Sequence, residues 1–356
     1  MKHTFVITLA VVLLAIVFPL GVLIRARVQS ENPAEGPGNT GQGNGSQASE
    51  YRLSGPYTHK NLTIFLIHGK NLMEGKTPLT LEEALEKKKV IVHETQNVNE
   101  LSIENVSGED VYVQSGDIVK GGQQDRMLAV DLIVPSKSGK IPIAAFCVEQ
   151  GRWSRRGDEQ AAYFSSSAEG AATKDIKLAA KRANSQSGVW KNVKEAQDKL
   201  SENLSVTVNS ADSPSSLQLA VENPKVQETA SEYTKALAKI VDGKADVIGY
   251  AFAINGDMNS ADVYASNGLF LKLWPKLLKA NAVEAIAELQ KDKKFEPATV
   301  EQVKSFIAEA EAGKSAEKEV TGRIKLLTRE DEKNIFFETR DRSKAGAWIH
   351  RNYIRK

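Results

Sequence analysis

An uncharged stretch of twenty residues, Phe5–Ile24, stands near the start of this 356-residue chain. As an α-helix rising about 1.5 Å per residue it is about 30 Å long, enough to cross the hydrocarbon core of a bilayer. A cleaved signal peptide has a shorter apolar region of about 7–15 residues and small residues at its cleavage site. We therefore expect an uncleaved single-span membrane anchor, with a cleaved signal segment as the alternative.

Residues 28–50 contain five glycines among Asn, Ser, Gln and Pro. This composition buries too little apolar surface to fold and is typical of a flexible spacer. The sequence thus predicts an anchor or signal segment at 1–27, a linker at 28–50 and a folded domain at 51–356. Arg25 and Arg27 weakly favour a cytoplasmic domain, but a span preceded by so short a segment commonly exports the domain on its C-terminal side. An extracytoplasmic domain is expected, or a secreted one if the segment is cleaved.

The overall composition excludes several classes of protein. Apolar residues make up 41% and charged residues 26%, as in ordinary soluble domains, which excludes a polytopic membrane protein and global disorder. The net charge of +2 gives no basic field for nucleic acid, so no nucleic-acid partner is predicted. A single cysteine excludes an internal disulfide, and none of the five histidines forms a metal-ligand pair. Neither a metal nor a cofactor is predicted.

Short apolar, β-branched segments dominate the first half of the folded part. Residues 61–68, 127–134 and 141–149 each have the composition of a strand. Helical spacing follows at Val189–Leu204 and Val226–Val241. The pattern predicts an α+β fold, with a β-rich N-terminal half forming an antiparallel sheet, a helical middle segment and closing C-terminal strands.

The second half carries three boundary signals. Asp246–Ile254 is a predicted strand, followed by the polar segment Asn255–Ser260, which we expect to be a loop. The helical pattern that resumes near Gly268 is expected to break at Pro275, because proline lacks an N–H group. A closing hairpin is predicted within residues 334–353.

The most unusual motif lies between two predicted strands and reads Gly121-Gly122-Gln123-Gln-Asp125-Arg126. Adjacent glycines allow backbone N–H groups to converge on an anion, and an arginine adds a bidentate grip on phosphate or carboxylate. The motif lacks the Gly-Lys-Ser/Thr of a Walker loop and the spacing of a dinucleotide-binding fingerprint. The alternative interpretation is a tight connection between strands, with its polar residues facing water.

A second motif, Cys147-Val-Glu149-Gln-Gly-Arg152-Trp153, ends an apolar strand. Strand alternation places the cysteine and the glutamate on the same side. A thiolate nucleophile needs a base or a nearby positive charge, which Arg152 or Arg126 could supply, and Glu149 is a candidate acid or base. The alternatives are a buried cysteine acting as an apolar filler and a structural ion pair of Glu149 with an arginine.

Two further polar stretches have simpler interpretations. Tyr250, Asn255, Asp257 and Asn259 surround the end of a predicted strand, where sites often form, but a polar loop accounts for them. Arg340–Lys356 holds six Lys or Arg residues with aromatic residues between them, a pattern also found in surfaces that bind nucleic acid or anionic lipid. A charged edge strand that resists aggregation explains it more simply.

The two motifs, at this separation, resemble a bacterial domain family, the ADP-ribosylglycohydrolase- and rhodanese-phosphatase-associated (ARPP) domain. The similarity extends over about residues 51–355, with the strongest motifs in 116–153. The resemblance implies a fold and an association with ADP-ribose chemistry, but no established reaction. The positions that match the family's motifs are Gln123, Asp125, Arg126, Cys147, Glu149, Arg152 and Trp153.

Two functions of different class are consistent with these observations. In the first, the domain binds or processes a phosphorylated or ADP-ribose-like small molecule. Gly121, Gly122, Gln123, Asp125, Arg126, Arg152 and Trp153 then contact the ligand, and Glu149 and Cys147 are the catalytic candidates. In the second, the domain is a non-enzymatic extracytoplasmic interaction module, and both motifs are structural. Whether the protein is an enzyme stays open, and its protein partners are not predicted.

Overall fold

A computed structural model describes residues 51–73, 75–167, 172–344 and 347–356. The predicted anchor and linker, residues 1–50, lie outside this part of the chain. The described residues form an α+β fold with strands in three sheets and helices against them, which confirms the predicted class. Within these ranges, no helix is both long and apolar enough to span a bilayer.

The largest sheet has eight strands, and every neighbouring pair is antiparallel. The order across the sheet is β1 (Arg52–His59), β2 (Leu62–His68), β12 (Val247–Ile254), β13 (Asp257–Tyr264), β17 (Ala347–Arg355), β16 (Asn334–Asp341), β15 (Ile324–Glu330) and β14 (Lys314–Glu319). The N-terminal half thus contributes only two strands to this sheet, and the other six come from the C-terminal half.

The predicted strand at 61–68 is a continuous apolar run because both faces of the sheet are covered. Leu66 packs on one face with Phe270, whereas Phe65 packs on the other face with Val303 and Phe306. Every residue of β2 is buried. A strand buried on both faces loses the alternation of apolar and polar residues that a half-exposed strand shows.

The remaining strands of the N-terminal half form two smaller sheets, not one. A six-stranded antiparallel sheet has the order β11 (Phe164–Ser166), β7 (Ile118–Gly121), β8 (Arg126–Leu128), β10 (Ile141–Cys147), β5 (Glu100–Asn105) and β4 (Val90–Asn97). A three-stranded sheet contains β3 (Leu79–Thr80), β6 (Val111–Val113) and β9 (Leu132–Val134). In it β3 pairs with β6 in parallel, which the prediction of a single antiparallel sheet did not include.

The prediction of one strand over 127–134 is wrong, because the chain changes sheet within it. β8 belongs to the six-stranded sheet and β9 to the three-stranded sheet. Between them the Asp131 carboxylate accepts a hydrogen bond from the Ser115 amide at 3.0 Å, and the Ser115 hydroxyl donates to the Ala129 carbonyl at 3.0 Å. These bonds take the place of ladder bonds where the strand is interrupted.

The α-helices of the described residues lie mainly in the middle of the chain. They are α1 (Leu81–Glu86), α2 (Lys174–Lys181), α3 (Gln186–Leu204), α4 (Leu217–Val221), α5 (Pro224–Leu237), α6 (Asn267–Ala287) and α7 (Val300–Ala312). The predicted break at Pro275 is wrong, since α6 continues through it. Phe270, Leu273, Trp274 and Leu277 around this proline are buried, and their packing offsets its cost of about 3 kcal/mol.

The expected loop at Asn255–Ser260 is also wrong. Asn255 and Gly256 both have positive φ, at 55° and 87°, and form the turn of a hairpin in which β13 begins at Asp257. Asn-Gly is the pair of residues that best tolerates two positive φ angles in succession. The turn therefore carries the chain directly from β12 into β13, a central strand of the largest sheet.

Candidate functional site

The glycine motif forms a tight connection between β7 and β8, and its backbone amides are already used. The Gly121 amide donates to Asp125 Oδ1 at 3.1 Å, and the Gln123 amide donates to Glu94 Oε2 at 3.1 Å. The Gly122 amide donates to the Gln160 carbonyl at 3.0 Å. These three amides hold the loop together and do not converge on an open position.

A glycine is needed at position 122 because neighbouring side chains leave no room for a Cβ atom. Its φ is +57°, and a Cβ at this position would lie 2.3 Å from Phe164 Cζ and 2.8 Å from Glu94 Oε2. The adjacent Gly121 also has a positive φ, of 122°. The glycine pair thus lets the loop pack closely against β11 and the end of β4.

Five charged residues of the loops around the motifs form an ionic cluster. Arg152 binds both carboxylate oxygens of Glu149, with its Nε and its Nη2 each at 2.7 Å. Arg156 binds both oxygens of Asp125 at 3.0 Å and reaches Glu149 Oε1 at 3.4 Å. The Asp125 amide and the Ser216 hydroxyl complete the set, at 3.0 Å from Glu149 Oε2 and from Asp125 Oδ2. Glu159 also accepts from Arg156, with its Oε1 2.8 Å from Nη2, so both guanidinium groups are paired with carboxylates.

The pKa values of the two buried carboxyl groups, Asp125 and Glu149, are shifted in opposite directions. Burial, together with the neighbouring Glu149 carboxylate, raises the pKa of Asp125 despite the opposing Arg156. Burial also raises the pKa of Glu149, but the hydrogen bonds led by those of Arg152 outweigh it, and the net pKa lies below its usual value. Glu149 is therefore a carboxylate bound on both oxygens, which favours the structural ion pair over an acid or base. Arg156 had not been identified from the sequence.

Arg126 differs from the other two arginines because its charge is incompletely paired. Its side chain is fully buried, and its Nη1 donates to the Gln124 carbonyl at 2.7 Å. Nε and Nη2 have no hydrogen-bond partner among the described residues. The closest carboxylate oxygen, Glu94 Oε2, lies 3.6 Å from Nη2, and the indole of Trp153 lies over the guanidinium with its centroid 5.7 Å from Cζ. Trp153 itself is 48% exposed.

Cys147 lies opposite Arg126 in the ladder between β10 and β8. It is buried, and its Sγ contacts the Val98 carbonyl at 3.8 Å. Burial raises the pKa of the thiol to about 11, although the charge of Arg126 acts against it. The thiol is thus protonated at neutral pH, which favours an apolar filler over a nucleophile.

A second buried cluster, centred on His350, was not found from the sequence. His350 Nδ1 lies 3.2 Å from Asp131 Oδ1, and its Nε2 lies 2.9 Å from Asp262 Oδ1. All three side chains are buried. Since each ring nitrogen faces a carboxylate oxygen, the arrangement is best satisfied when both nitrogens are protonated, and we assign His350 as an imidazolium. Burial lowers its pKa, but the two carboxylates outweigh it and the net pKa is raised.

Four side chains around His350 bind the two carboxylates, two at Asp131 and two at Asp262. Lys181 of α2 lies 3.4 Å from Asp131 Oδ2, and the Thr339 hydroxyl of β16 donates to the same oxygen at 2.8 Å. Tyr250 of β12 donates to Asp262 Oδ2 at 3.2 Å, and the Asn352 amide of β17 donates to Oδ1 at 2.8 Å. Tyr264 stacks on the imidazole at a centroid distance of 4.6 Å. Of these residues, Tyr250 had been singled out from the sequence as part of a polar strand end, and Asn352 as part of the basic stretch Arg340–Lys356.

Neither cluster is arranged as a metal centre. Within the described ranges, no group of three or more His, Cys, Asp or Glu side chains is arranged to hold a metal ion. Both clusters instead pair carboxylates with basic side chains.

Comparison with known proteins assigns the family. Residues 50–354 match the ARPP-1 family, described as the ARG and Rhodanese-Phosphatase-superfamily-associated Protein domain. No curated protein and no solved structure matches the chain. The match spans most of the chain and includes both motifs. The chain therefore belongs to the ARPP-1 family.

Proposed function

We propose that this domain binds a small molecule that carries a phosphate group, of the ADP-ribose-like kind, and that Arg126 receives the phosphate. The observation that supports it is a fully buried guanidinium with two nitrogens that lack partners among the described residues. Burying a charge costs several kcal/mol unless pairing and hydrogen bonds offset it. A phosphate oxygen at Nε and another at Nη2 would supply the missing bidentate contact.

The other motif residues have supporting roles in this proposal. Arg152 is committed to Glu149, so it positions the loop that carries Trp153 and leaves the ligand contact to Arg126. The half-exposed indole lies over the guanidinium, and in this proposal the ligand enters by displacing it. The family description, which associates this domain with ARG and rhodanese-phosphatase proteins, is consistent with a phosphorylated ligand.

A thermal-shift titration of the full-length chain in detergent tests the proposal. The ligands are ADP-ribose, nucleotides, sugar phosphates and inorganic phosphate. A ligand at 100 times its dissociation constant stabilises the folded state by about 2.7 kcal/mol, which is a shift of several degrees. Arg126→Met should abolish the shift, while the exposed Arg155→Met, in the loop that follows Trp153, should keep it.

The effect of Arg126→Met without ligand sharpens the test. Methionine keeps an apolar side chain of similar reach and removes a charge that is poorly paired in the free protein. Because three backbone amides still donate to the neighbouring Glu94 carboxylate when Arg126 is removed, we expect the variant to be about as stable as the parent. A large loss of stability, together with a parent that no ligand stabilises, would point to a structural arginine.

The second candidate is a protein-interaction module, which the internal pairing of Asp125, Glu149, Arg152 and Arg156 favours. Trp153, the last residue of the second motif, and Tyr163, in the segment that follows it, are each 48% exposed. If no ligand stabilises the parent, Trp153→Ala in a binding assay with envelope proteins becomes the test of this second candidate. The Arg126 proposal is then withdrawn.

We also propose that Phe5–Ile24 anchors the protein in the membrane and that residues 28–50 hold the domain on the extracytoplasmic side. The uncharged length of the segment and the glycine-rich composition of the linker support this arrangement. Alkaline carbonate extraction of membranes, followed by protease treatment of intact and lysed cells, tests it. A domain that is protected in intact cells and cut only after lysis of the inner membrane contradicts the orientation.

A further inference from the structure

Glu94 is held rigidly beside the guanidinium of Arg126. Its side chain is 3% exposed, and Oε2 accepts the Gln123 amide while lying 3.6 Å from Arg126 Nη2. Oε1 accepts the amides of Thr95 and Gln96 at 3.1 and 3.0 Å. Three backbone N–H groups thus hold this carboxylate in one position, where it has little freedom to move away from an incoming anion.

The backbone of two strands is shaped around this carboxylate. The register of β4 against β5 shifts between Glu94 and Asn97, and Gln96 has a φ of +64°. On the other side, any Cβ at Gly122 would lie 2.8 Å from Glu94 Oε2. The close approach of loop and carboxylate therefore explains part of the requirement for glycine in the first motif.

The charged groups around Arg126 provide no additional positive charge for a ligand that carries two negative charges. Asp125, Glu149 and Glu159 already pair with Arg152 and Arg156, so neither arginine has an unpaired positive charge to offer, and the charges nearest the site are those of Arg126 and Glu94. A phosphate bound at Nε and Nη2 lies near Glu94 Oε2 as well as the guanidinium. Each negative charge on the ligand is attracted by one group and repelled by the other, and the second charge of the ligand finds no further cation among these described residues.

We propose that Glu94 makes this site selective for phosphodiesters, which carry one negative charge per phosphate, over phosphate monoesters. A monoester carries about −1.5 to −2 charges at pH 7 because its second pKa is about 6. The selectivity rests on the proposed function, since it concerns the same Arg126 site. It assigns a role to Glu94, which neither motif contains.

Two pairs of probes measure the selectivity in the full-length chain in detergent. Cyclic AMP and AMP share a base and a sugar and differ in the charge of the phosphate, and ADP-ribose and ADP differ in the same way at the terminal phosphate. At pH 7.5 we expect the diester of each pair to bind at least tenfold more tightly. At pH 5.5 AMP is mostly singly charged, so its deficit relative to cyclic AMP should shrink several-fold, with no substitution in the protein.

Glu94→Gln tests the role of the carboxylate directly. The variant should bind AMP and ADP more tightly and bring the preference for the diester close to one. Glu100→Gln removes an exposed carboxylate from the neighbouring strand β5 and should leave the preference unchanged.

The outcomes separate the two proposals. If the parent binds the probes but the preference is absent, or stays the same in both Glu94→Gln and the pH series, charge selection by Glu94 is wrong and the Arg126 site stands. If none of the four probes binds the parent, both proposals fall. If Arg126→Met binds as tightly as the parent, the proposed site is wrong whatever the preference.

Discussion

The two buried ionic clusters of this domain differ in how the chain assembles them. The cluster at the motifs draws its charged residues from positions 125–159, whereas the cluster at His350 joins Asp131, Asp262 and Lys181 to a residue near the C-terminus. The first uses arginines, which stay charged at any physiological pH, and the second depends on a histidine. A cluster that is local in sequence can be recognised as a motif, and one that is distant in sequence cannot.

They also differ in what they leave unpaired. Every carboxylate oxygen of Asp125 and Glu149 accepts a hydrogen bond, yet the neighbouring Arg126 keeps two nitrogens without partners in the described part of the chain. In the cluster at His350 both ring nitrogens face carboxylates. A group that stays unpaired at the edge of a satisfied network is a better candidate for ligand binding than the network itself.

The largest effect is expected from Arg156→Met. The substitution leaves Asp125 buried without its bidentate partner, and breaking a buried ion pair in this way costs about 3–5 kcal/mol. Urea unfolding measures the change in the free energy of unfolding. Arg155→Met, at an exposed neighbouring position, should cost less than about 0.5 kcal/mol. Equal losses in the two variants would mean that the cluster contributes nothing particular to stability.

His350→Gln should cost somewhat less, about 2–4 kcal/mol, and should change the pH dependence of stability. The pKa of His350 is raised in the folded state, so its contribution is complete below pH of about 6.5 and is lost as pH rises through the folded pKa. The parent should therefore lose stability on the alkaline side, and the variant should lose less. Unfolding free energies across pH 6–9 measure this difference.

A second histidine, His59, should affect the pH dependence of stability in the opposite direction. Burial lowers the pKa of His59, followed in effect by the charge of Lys60, so its contribution is lost as pH falls. His59→Gln should therefore leave the alkaline side of the stability profile unchanged. Identical alkaline profiles for the parent and His350→Gln would contradict the imidazolium.

Gly122→Ala should cost about 1–3 kcal/mol, because a Cβ there meets Phe164 and Glu94 in addition to the strain of a positive φ. Gly151→Ala is the matched control. Its φ is +88°, and a Cβ there would meet nothing within 4 Å, so it carries the backbone strain alone. The difference in unfolding free energy between the two variants measures the steric part. A difference near zero would mean that the loop at Gly122 moves at little cost.

The smallest effect is expected for alkylation of Cys147. The thiol is buried and its pKa is raised to about 11, so iodoacetamide at pH 7.5 should leave the folded protein unlabelled over hours. The same reagent should label the protein completely in denaturant. Rapid labelling of the folded protein, measured by mass spectrometry, would restore Cys147 as a nucleophile candidate.

Local patterns in the sequence predicted local structure well. The strand predicted at 61–68 and the helix predicted at Val189–Leu204 are both confirmed, by β2 and α3. The break within 127–134 and the passage of α6 through Pro275 were missed, because each depends on packing against residues distant in sequence. The Asn255-Gly256 turn was a local signal, and its interpretation as part of a polar loop overlooked the hairpin.

The sequence by itself determined the α+β class, the family and the positions of the two motifs. Only the tertiary structure decided which charges cancel, since neutralisation depends on distances across strands and loops that spacing along the chain does not define. It separated Arg126 from Arg152, placed Glu94 beside the first motif and joined His350 to Asp131 and Asp262. The sequence specifies each residue type, whereas the tertiary structure determines which group pairs with a buried charge.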